Sequence, residues 1–300
     1  MTHRRGAIAL AILLAAAAAL LLLHVLAARP GPVIRAQSRP LEVLPELSAA
    51  RLAALPEARY DAVIAALLPA EGPAEADTAY RLRKDTVLYA ADRTTPVARL
   101  AARNFLGEPS VVVPVVGSGD WLRVLTPARQ RLPSDSAGTD PAGPDPASTD
   151  PAGTDSFGAL APAQTSAWLR ADSLSSPTIL VNRIIVSVSA QTLSIIGVGS
   201  RTWPVGVGAP GTPTPIGVTG YLEARYRDAA QGQAEHPVQL TSLHSTAADE
   251  PFGGNDGGLI GIHFQASASG AVSHGCIRVP LEAIAAVNAL PLGTLITIGE

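Results

Sequence analysis

The residues best suited to chemistry lie in one stretch near the C-terminus, Ser273–Arg278, which reads Ser-His-Gly-Cys-Ile-Arg. Cys276 within it is the single cysteine of the 300-residue chain. His263 lies upstream, and a loop of mostly small residues separates it from the stretch. Acyl transfer by cysteine needs a thiolate, a base that takes its proton, and N–H donors for the oxyanion. Cys276 and His263 are therefore a candidate nucleophile and general base.

The glycine before the cysteine supplies the third requirement. Gly275 leaves the backbone uncrowded, so the N–H groups of Gly275 and Cys276 are candidate oxyanion donors. One strong donor of this kind typically lowers the barrier by about 2.7–4 kcal/mol. A histidine has an unperturbed pKa of about 6.5, which suits proton transfer at neutral pH.

Two other interpretations stay open from these residues alone. Cys276 would be an inert, buried side chain if the histidines had only structural roles. A zinc site would draw on His263, His274, Cys276 and His244. His274 and Cys276 have one residue between them, fewer than the roughly two to four that usually separate neighbouring structural zinc ligands. This spacing favours the Cys–His pair, and we predict neither a metal nor another cofactor.

The first 28 residues have the pattern of an export segment. Arg4 and Arg5 precede residues 6–28, which are apolar apart from His24. This run is longer than the roughly 7–15 residues of a cleaved signal core and reaches the roughly 20 residues that span a bilayer. We interpret residues 1–28 as a signal peptide or a membrane anchor, with the rest of the chain outside the cytoplasm. Exported proteins use cysteines in pairs, so a single one indicates a reactive thiol or an intermolecular bridge.

The composition narrows the classes of protein and partner. The formal net charge is −3, and the arginines are scattered without the basic cluster that follows a phosphate backbone. Nucleic acid is therefore not an expected partner. The 27 glycines, 26 prolines and 4% aromatic residues indicate turn-rich β structure and not a helical bundle.

Three segments precede the candidate site. We interpret residues 29–77 as a spacer with one or two short helices between Pro45 and Pro69. Residues 78–175 have short strand patterns and a Gly-Asp-Trp-Leu-Arg-Val phrase, and they loosely resemble the bacterial SH3-like domains that accompany wall enzymes. An insert at 133–165 repeats Thr-Asp-Pro-Ala-Gly and is predicted to be disordered, because such a repeat has little apolar surface to bury.

Residues 178–300 have longer β patterns. A hairpin is predicted over residues 183–198, and a Pro-rich turn cluster follows at Gly211–Gly217. Leu281–Leu290 is predicted to be a short helix, and Leu295–Ile298 a closing strand. The expected fold class is mainly β.

Four phrases in this region closely resemble the L,D-transpeptidases of bacterial cell walls, which have a YkuD-type catalytic domain. They are Val205–Gly208, Pro213–Gly217, Gly261–His263 and Ser273–Arg278. The resemblance implies a YkuD-like β domain with a sheet-lined cleft, preceded here by the small SH3-like barrel and an N-terminal hydrophobic helix. It also implies a partner, the peptidoglycan stem tetrapeptide. The family acylates its cysteine with loss of the terminal D-residue, then passes the acyl group to the side-chain amine of a neighbouring stem and makes a 3-3 cross-link.

The resemblance assigns roles to individual residues. It implies that Cys276 is the nucleophile, that His263 is the base, and that the Phe264 backbone carbonyl orients this base. It also implies a set of residues that border the oxyanion hole or bind substrate: Ser273, His274, Gly275 and Arg278. Arg278 in that set either holds the loop or meets a substrate carboxylate.

The chain departs from the family pattern in two places. Phe264 stands where the family usually has Gly or Ser, and the loop from His263 to Ser273 is shorter than is common. Both changes are expected to narrow the substrate entrance, and so to affect which acceptor the site uses. Two alternative functions stay open: an L,D-carboxypeptidase, in which water replaces the acceptor amine, and a non-catalytic wall-binding protein with a decayed catalytic domain.

Overall fold

The computed structural model describes residues 46–137, 161–175, 177–229, 233–248 and 256–300. Residues 46–300 form one compact unit, and the architecture is mainly β, as predicted. The predicted export segment and residues 138–160 of the insert lie outside the described residues. The prediction of disorder over 133–165 is wrong at both ends of the insert, because Pro133–Ala137 is a helix and Thr165 begins a strand. Within the described ranges, no helix is both long and apolar enough to cross a membrane.

An antiparallel sheet forms the first part of the unit. The strands here are β1 (Leu68–Pro69), β2 (Thr78–Arg81), β3 (Thr86–Tyr89), β4 (Pro96–Leu100), β5 (Val111–Val112), β6 (Pro114–Ser118), β7 (Trp121–Thr126), β8 (Thr165–Arg170) and β9 (Thr178–Ile179). Among the described residues the sheet order is β4-β3-β8-β7-β6, with β1 added to β8, while β2 pairs with β5 and β9 beside it. The helical segments are short: Ala49–Ala53, Pro133–Ala137 and the 3-10 turn Ala171–Ser173.

A larger mixed sheet forms the second part and carries the predicted site. Its strands are β10 (Asn182–Ser187), β11 (Thr192–Gly197), β12 (Arg201–Pro204), β13 (Gly206–Gly208), β14 (Val218–Asp228), β15 (Gln233–His244), β16 (Leu259–Phe264), β17 (Gly270–Ser273), β18 (Ile277–Val279) and β19 (Leu295–Gly299). In the described part of the chain they are ordered β12-β11-β10-β19-β14-β15-β16-β18-β13-β17. The helix Leu281–Asn288 packs against β15 and β16.

The described residues contain three apolar cores, of which one joins the two parts. One lies inside the second part, around residues such as Ile184, Leu243 and Ile277, and another lies inside the first part. The third core joins the two parts, because it combines residues such as Leu125 of β7 with Tyr221 of β14. Buried apolar surface contributes roughly 25 cal/mol per Å², so a shared core couples the two sheets.

Most of the strand predictions in the second part agree with the structure. β10 and β11 form the predicted antiparallel hairpin, and the predicted closing strand is β19. In the first part, the strand pattern at Val111–Val116 is divided into β5 and β6. The division occurs at Val113, whose carbonyl accepts a hydrogen bond from Leu125 of β7.

The segment at residues 46–77, interpreted as part of a spacer, contributes to the core of the first part. Ala58, Ile64 and Leu67 are buried in that core. The segment contains one short helix. After this helix, its backbone forms hydrogen bonds with the sheet; for example, the Ala58 N–H donates to Arg99 O at 2.8 Å. The apolar residues whose spacing predicted helices therefore pack on the sheet, but most of them lie in irregular backbone.

Candidate active site

Parallel pairing of β16 with β18 brings the predicted nucleophile and base to one region. Ile262 lies opposite Ile277, and His263 lies opposite Arg278. Both isoleucines are fully buried. Because successive side chains of a strand point to opposite faces, His263 and Arg278 lie on the other face from the isoleucines. Cys276 directly precedes Ile277 and continues the alternation on the face of Arg278.

The Cys276 sulfur is held against the backbone of β16. The Gly261 N–H donates to Sγ at 3.4 Å, and the thiol donates to Leu259 O at 3.8 Å. Gly261 has no side chain, so the strand backbone and the sulfur approach each other directly. A Cβ at this position would contact Sγ at 3.8 Å and would crowd Val238 Cγ1 at 3.2 Å. Among the hydrogen bonds of the described residues, none joins Sγ to the His263 ring.

The loop before Cys276 is fixed by its own hydroxyl. Ser273 Oγ donates to Cys276 O at 2.5 Å and accepts the Gly275 N–H at 3.2 Å. Gly275 has φ of +105°, which an L side chain rarely adopts, and a Cβ would lie 3.1 Å from Ile260 Cδ1. The phrase therefore needs glycine at 275. His274 is exposed, whereas Ser273 and Gly275 are buried.

Two buried threonines of the Pro-rich turn cluster donate hydrogen bonds to carbonyls of this loop. Thr212 Oγ1 donates to Ser273 O at 3.0 Å, and Thr214 Oγ1 donates to Gly275 O at 2.8 Å. Thr214 Oγ1 also accepts the Gly208 N–H at 2.9 Å. The Gly275 carbonyl and the Cys276 N–H belong to one planar, trans peptide, so the bond to Thr214 also sets the direction of that N–H.

The predicted base is oriented by the predicted carbonyl. His263 Nδ1 lies 3.2 Å from Phe264 O, which is the arrangement of an Nδ1–H donor that leaves Nε2 as the basic nitrogen. Gln233 Nε2 also donates to Phe264 O, at 3.3 Å. The Phe264 ring packs edge-on against His236 with the ring centroids 5.2 Å apart. Sequence reasoning did not identify Gln233, Thr212 or Thr214, because bonds to main-chain carbonyls leave no motif.

Burial shifts the pKa values of His263 and Cys276 in opposite directions. It lowers the pKa of the His263 imidazole, and the positive charge of Arg278 acts in the same direction, while the bond to Phe264 O opposes both. It raises the pKa of the Cys276 thiol, against the effects of the Gly261 N–H and of Arg278. At neutral pH the resting pair is therefore a neutral thiol and a neutral imidazole.

Arg278 is the positive charge nearest to this pair along the strand. It is half-buried, and its buried Nε has no hydrogen-bond partner among the described residues. Gly206 of β13 lies opposite it, where a Cβ would come within 3.3 Å of Arg278 Cβ. The structure thus brings Cys276, His263 and Arg278 together with the backbone of Gly261.

The histidine considered as a further zinc ligand has another partner. His244 is buried and its Nε2 lies 2.9 Å from Tyr60 O. Burial lowers its pKa to about 3, with the charge of Arg129 acting in the same direction. Among the described residues, no three or more His, Cys, Asp and Glu side chains are grouped so that they would hold a metal ion.

One known family matches the part of the chain that contains the candidate site. Residues 181–298 match the YkuD family model, described as the L,D-transpeptidase catalytic domain. The matched range of this domain includes Thr214, Gln233, His263 and Cys276. Among curated proteins, none matches the chain.

Solved structures of L,D-transpeptidases are also similar to the chain. L,D-transpeptidase 1 of Mycobacterium tuberculosis is 18% identical, with 45% of this chain and 78% of that chain covered and a TM-score of 0.29. An L,D-transpeptidase from Mycobacterium smegmatis is 16% identical, with 62% and 93% covered and a TM-score of 0.29. Another from Mycobacterium tuberculosis H37Rv is 14% identical, with 79% and 98% covered and a TM-score of 0.33.

Proposed function

We propose that this protein is a peptidoglycan L,D-transpeptidase that forms 3-3 cross-links through an acyl-enzyme on Cys276. The observation that carries the proposal is the Cys276 sulfur held at Gly261, on the same strand as His263, within the matched domain. His263 Nδ1–H donates a hydrogen bond to Phe264 O, which leaves Nε2 unprotonated and able to act as the general base. The substrate is a stem tetrapeptide, which the family acts on.

The acylation step begins with a proton transfer. The thiol turns from Leu259 O towards His263, whose Nε2 takes the proton while Sγ attacks the carbonyl carbon of the third stem residue. The resulting oxyanion is stabilised by backbone N–H groups at Gly275 and Cys276. The tetrahedral intermediate then collapses, the bond to the terminal D-residue breaks, and the imidazolium returns the proton to the departing amine. The product is a thioester on Cys276.

Of the two proposed oxyanion donors, the Cys276 N–H has the better support. The Gly275 N–H donates to Ser273 Oγ at 3.2 Å, so its use requires that this bond be exchanged for one to substrate. The Cys276 N–H is oriented through the Gly275 carbonyl, which Thr214 fixes. Ser273 and His274 border this hole, and Arg278 is placed to meet a substrate carboxylate.

Deacylation follows with an amine as the second nucleophile. The side-chain amine of a neighbouring stem attacks the thioester carbonyl, gives its proton to His263, and the thiol is restored as the new amide forms. In a carboxypeptidase, water would take the place of this amine. Phe264, packed on His236, lies beside the base and would limit what reaches the thioester.

The proposal extends to the segments before the catalytic domain. We place residues 1–28 as an export signal or anchor, which would bring the domain to the cell wall where its substrate lies. The antiparallel strands of residues 78–175 support an SH3-like β domain. We propose residues 29–77 as the spacer that leads to it, with the segment around Ala58, Ile64 and Leu67 packed into its core. Export would be tested by fractionation of cells that express the full chain and a variant without residues 2–28.

The decisive assay uses purified disaccharide-tetrapeptide and mass spectrometry of the products. A dimer that has lost one D-residue supports the transpeptidase. Disaccharide-tripeptide without dimer supports the carboxypeptidase. Neither product, with an intact fold, would mean a non-catalytic wall-binding protein. The Cys276→Ala variant is the control and is expected to give no product.

A further inference from the structure

One arginine of the first part reaches into the backbone beside the candidate site. Arg129 is 5% exposed, although it carries a charge. Its Nη1 donates to Ser245 O at 3.1 Å, and its Nη2 donates to Gly258 O at 3.2 Å and also to Gly257 O. Its own backbone is fixed on both sides, by Ala62 O and by the Ile64 N–H. A side chain with this many bonds to another part of the chain fixes that part in place.

The carbonyls that Arg129 binds flank the start of the catalytic strand. Ser245 directly follows β15, and Gly257 and Gly258 directly precede β16. The Ser245 N–H donates to Gly258 O at 2.9 Å, so the guanidinium closes a small hydrogen-bonded unit at this point. The next residue, Leu259, supplies the carbonyl that accepts the Cys276 thiol. The Gly261 N–H that contacts the sulfur lies two residues further on.

The chemistry of this contact needs an arginine. Burial lowers the pKa of the Arg129 guanidinium to about 10, against the attraction of the Asp256 carboxylate, so it stays charged at neutral pH. A planar fork with several N–H donors satisfies separate carbonyls at once, whereas a lysine ammonium is a point charge on a flexible stem.

A second tie from the first part reaches the same backbone. Asp256 accepts the Ser134 N–H at 3.0 Å and the Ser134 hydroxyl at 2.7 Å. Asp256 directly precedes Gly257, so both ties act on residues 256–258. This contact is exposed, and its removal leaves no buried polar group without a partner.

We propose that Arg129, supported by the Ser134–Asp256 contact, is a positioning residue for the Cys276 thiol. It holds the start of β16 so that Gly261 and Leu259 keep the sulfur in place. The first part of the chain thereby takes part in the preparation of the nucleophile. The catalytic meaning of this role rests on the proposed function, while the effect on the thiol itself does not.

The test is the alkylation of Cys276 by iodoacetamide as a function of pH in the full chain. Because Cys276 is the single cysteine, the reaction reports on that thiol alone. The variants are Arg129→Lys, Arg129→Met and Asp256→Ala. Arg123→Met is the matched control, because in the described part of the chain the Arg123 side chain bonds only within the first part, to Ser166 Oγ at 2.8 Å and Pro69 O at 2.9 Å.

The Arg129 variants are expected to raise the apparent pKa of alkylation, because the Gly261 N–H that stabilises the thiolate is no longer held to the sulfur. The carbapenem imipenem, whose lactam carbonyl can acylate a reactive thiol, serves as the second probe of Cys276. Its rate of acylation should fall about tenfold or more, since a displaced nucleophile can lose up to about a hundredfold. Asp256→Ala should shift both in the same direction by less. Arg123→Met should match the wild type in both.

Arg129 variants that fold, with an alkylation profile and an acylation rate equal to the wild type, would overturn the proposal. If these variants do not fold, Asp256→Ala decides: a shift supports the positioning role and no shift overturns it. Failure of imipenem to acylate the wild type would count against the proposed function, and the alkylation profiles would still decide the role of Arg129.

Discussion

Thr214→Val removes one hydroxyl from beneath the catalytic loop and changes little else. The two side chains have nearly the same shape, and Thr214 is 2% exposed. The wild-type hydroxyl donates to Gly275 O at 2.8 Å and accepts the Gly208 N–H at 2.9 Å. The valine variant leaves both of these backbone groups without that partner.

The expected loss of stability follows from these two bonds. A buried group that loses its partner costs about 1–3 kcal/mol. Two such groups, with some relaxation of the loop, imply a loss of roughly 2–4 kcal/mol in the free energy of unfolding. For a unit of this size, the melting temperature would fall by roughly 5–15 °C.

The same change should also slow the chemistry. Without the bond from Thr214, the peptide between Gly275 and Cys276 is free to rotate, and the Cys276 N–H loses its fixed direction. Complete loss of an oxyanion donor costs about 100–1,000-fold in rate, so partial misalignment is expected to cost about tenfold or more. The assay is the rate of Cys276 acylation by imipenem, measured by intact-protein mass spectrometry at a temperature where the variant is folded.

Two variants control this experiment. Thr214→Ser keeps the hydroxyl and should retain the acylation rate. Thr202→Val makes the same substitution at an exposed pair with Ser194 and should change the free energy of unfolding by about 0.5 kcal/mol or less. A Thr214→Val protein with the stability and acylation rate of the wild type would refute the reasoning.

Three further predictions concern Glu223, His263 and Gly208. Burial raises the pKa of Glu223 from 4.5 to about 8. Between these two pH values the folded protein keeps the carboxyl protonated while the unfolded chain has lost the proton. The stability that the neutral carboxyl contributes is therefore lost as pH rises from about 4.5 to about 8. Urea unfolding at a series of pH values should show a slope of about −1.4 kcal/mol per pH unit from this group, and Glu223→Gln should remove it; an equal slope in both proteins would contradict the assignment. The lowered pKa of His263 should place the acidic limb of Cys276 acylation below pH 6.5, and a limb that persists in His263→Ala would rule out that base. Gly208→Ala should lower the free energy of unfolding by roughly 2–3 kcal/mol, because its Cβ would clash with Thr212 O; urea unfolding with an unchanged midpoint would show that the turn adapts.

The sequence was sufficient to locate the candidate site because its residue types are concentrated in one phrase and one upstream histidine. A single cysteine beside glycine, with a histidine upstream, requires no knowledge of the fold to be recognised as a nucleophile with a base. The regular β elements were also predictable, because hairpins such as β10–β11 have local alternation and a local turn. The family match to residues 181–298 agrees with this part of the interpretation.

The support of the site was not predictable, and the reason is physical. Gln233 and Arg129 act through bonds to main-chain carbonyls, which every residue has, so their partners leave no trace in the sequence. Thr214 lies in the Pro213–Gly217 phrase, but its partner, the Gly275 carbonyl, could not be inferred from that phrase. Arg129 lies 128 residues before Gly257 and was one of many scattered arginines. Its contact exists only once the two sheets have packed together, as in the core shared by Leu125 and Tyr221.

The irregular segment before the first sheet shows the same limit. Its leucines and isoleucines have helical spacing, yet Ile64 and Leu67 are buried against strands. Backbone bonds such as that from the Ile64 N–H to Arg129 O replace those of a helix. Tertiary contacts therefore outweighed local propensity where a sheet edge offered partners.

The most direct test of the central claim is the mass of the intact protein after incubation with a purified disaccharide-tetrapeptide donor whose side-chain amine is acetylated, so that it cannot act as an acceptor. The account predicts a thioester adduct equal to the donor minus its terminal D-residue, located on Cys276 by peptide mapping and absent from Cys276→Ala. A folded wild-type chain that gains no such mass, or a Cys276→Ala chain that gains the same mass, would contradict it.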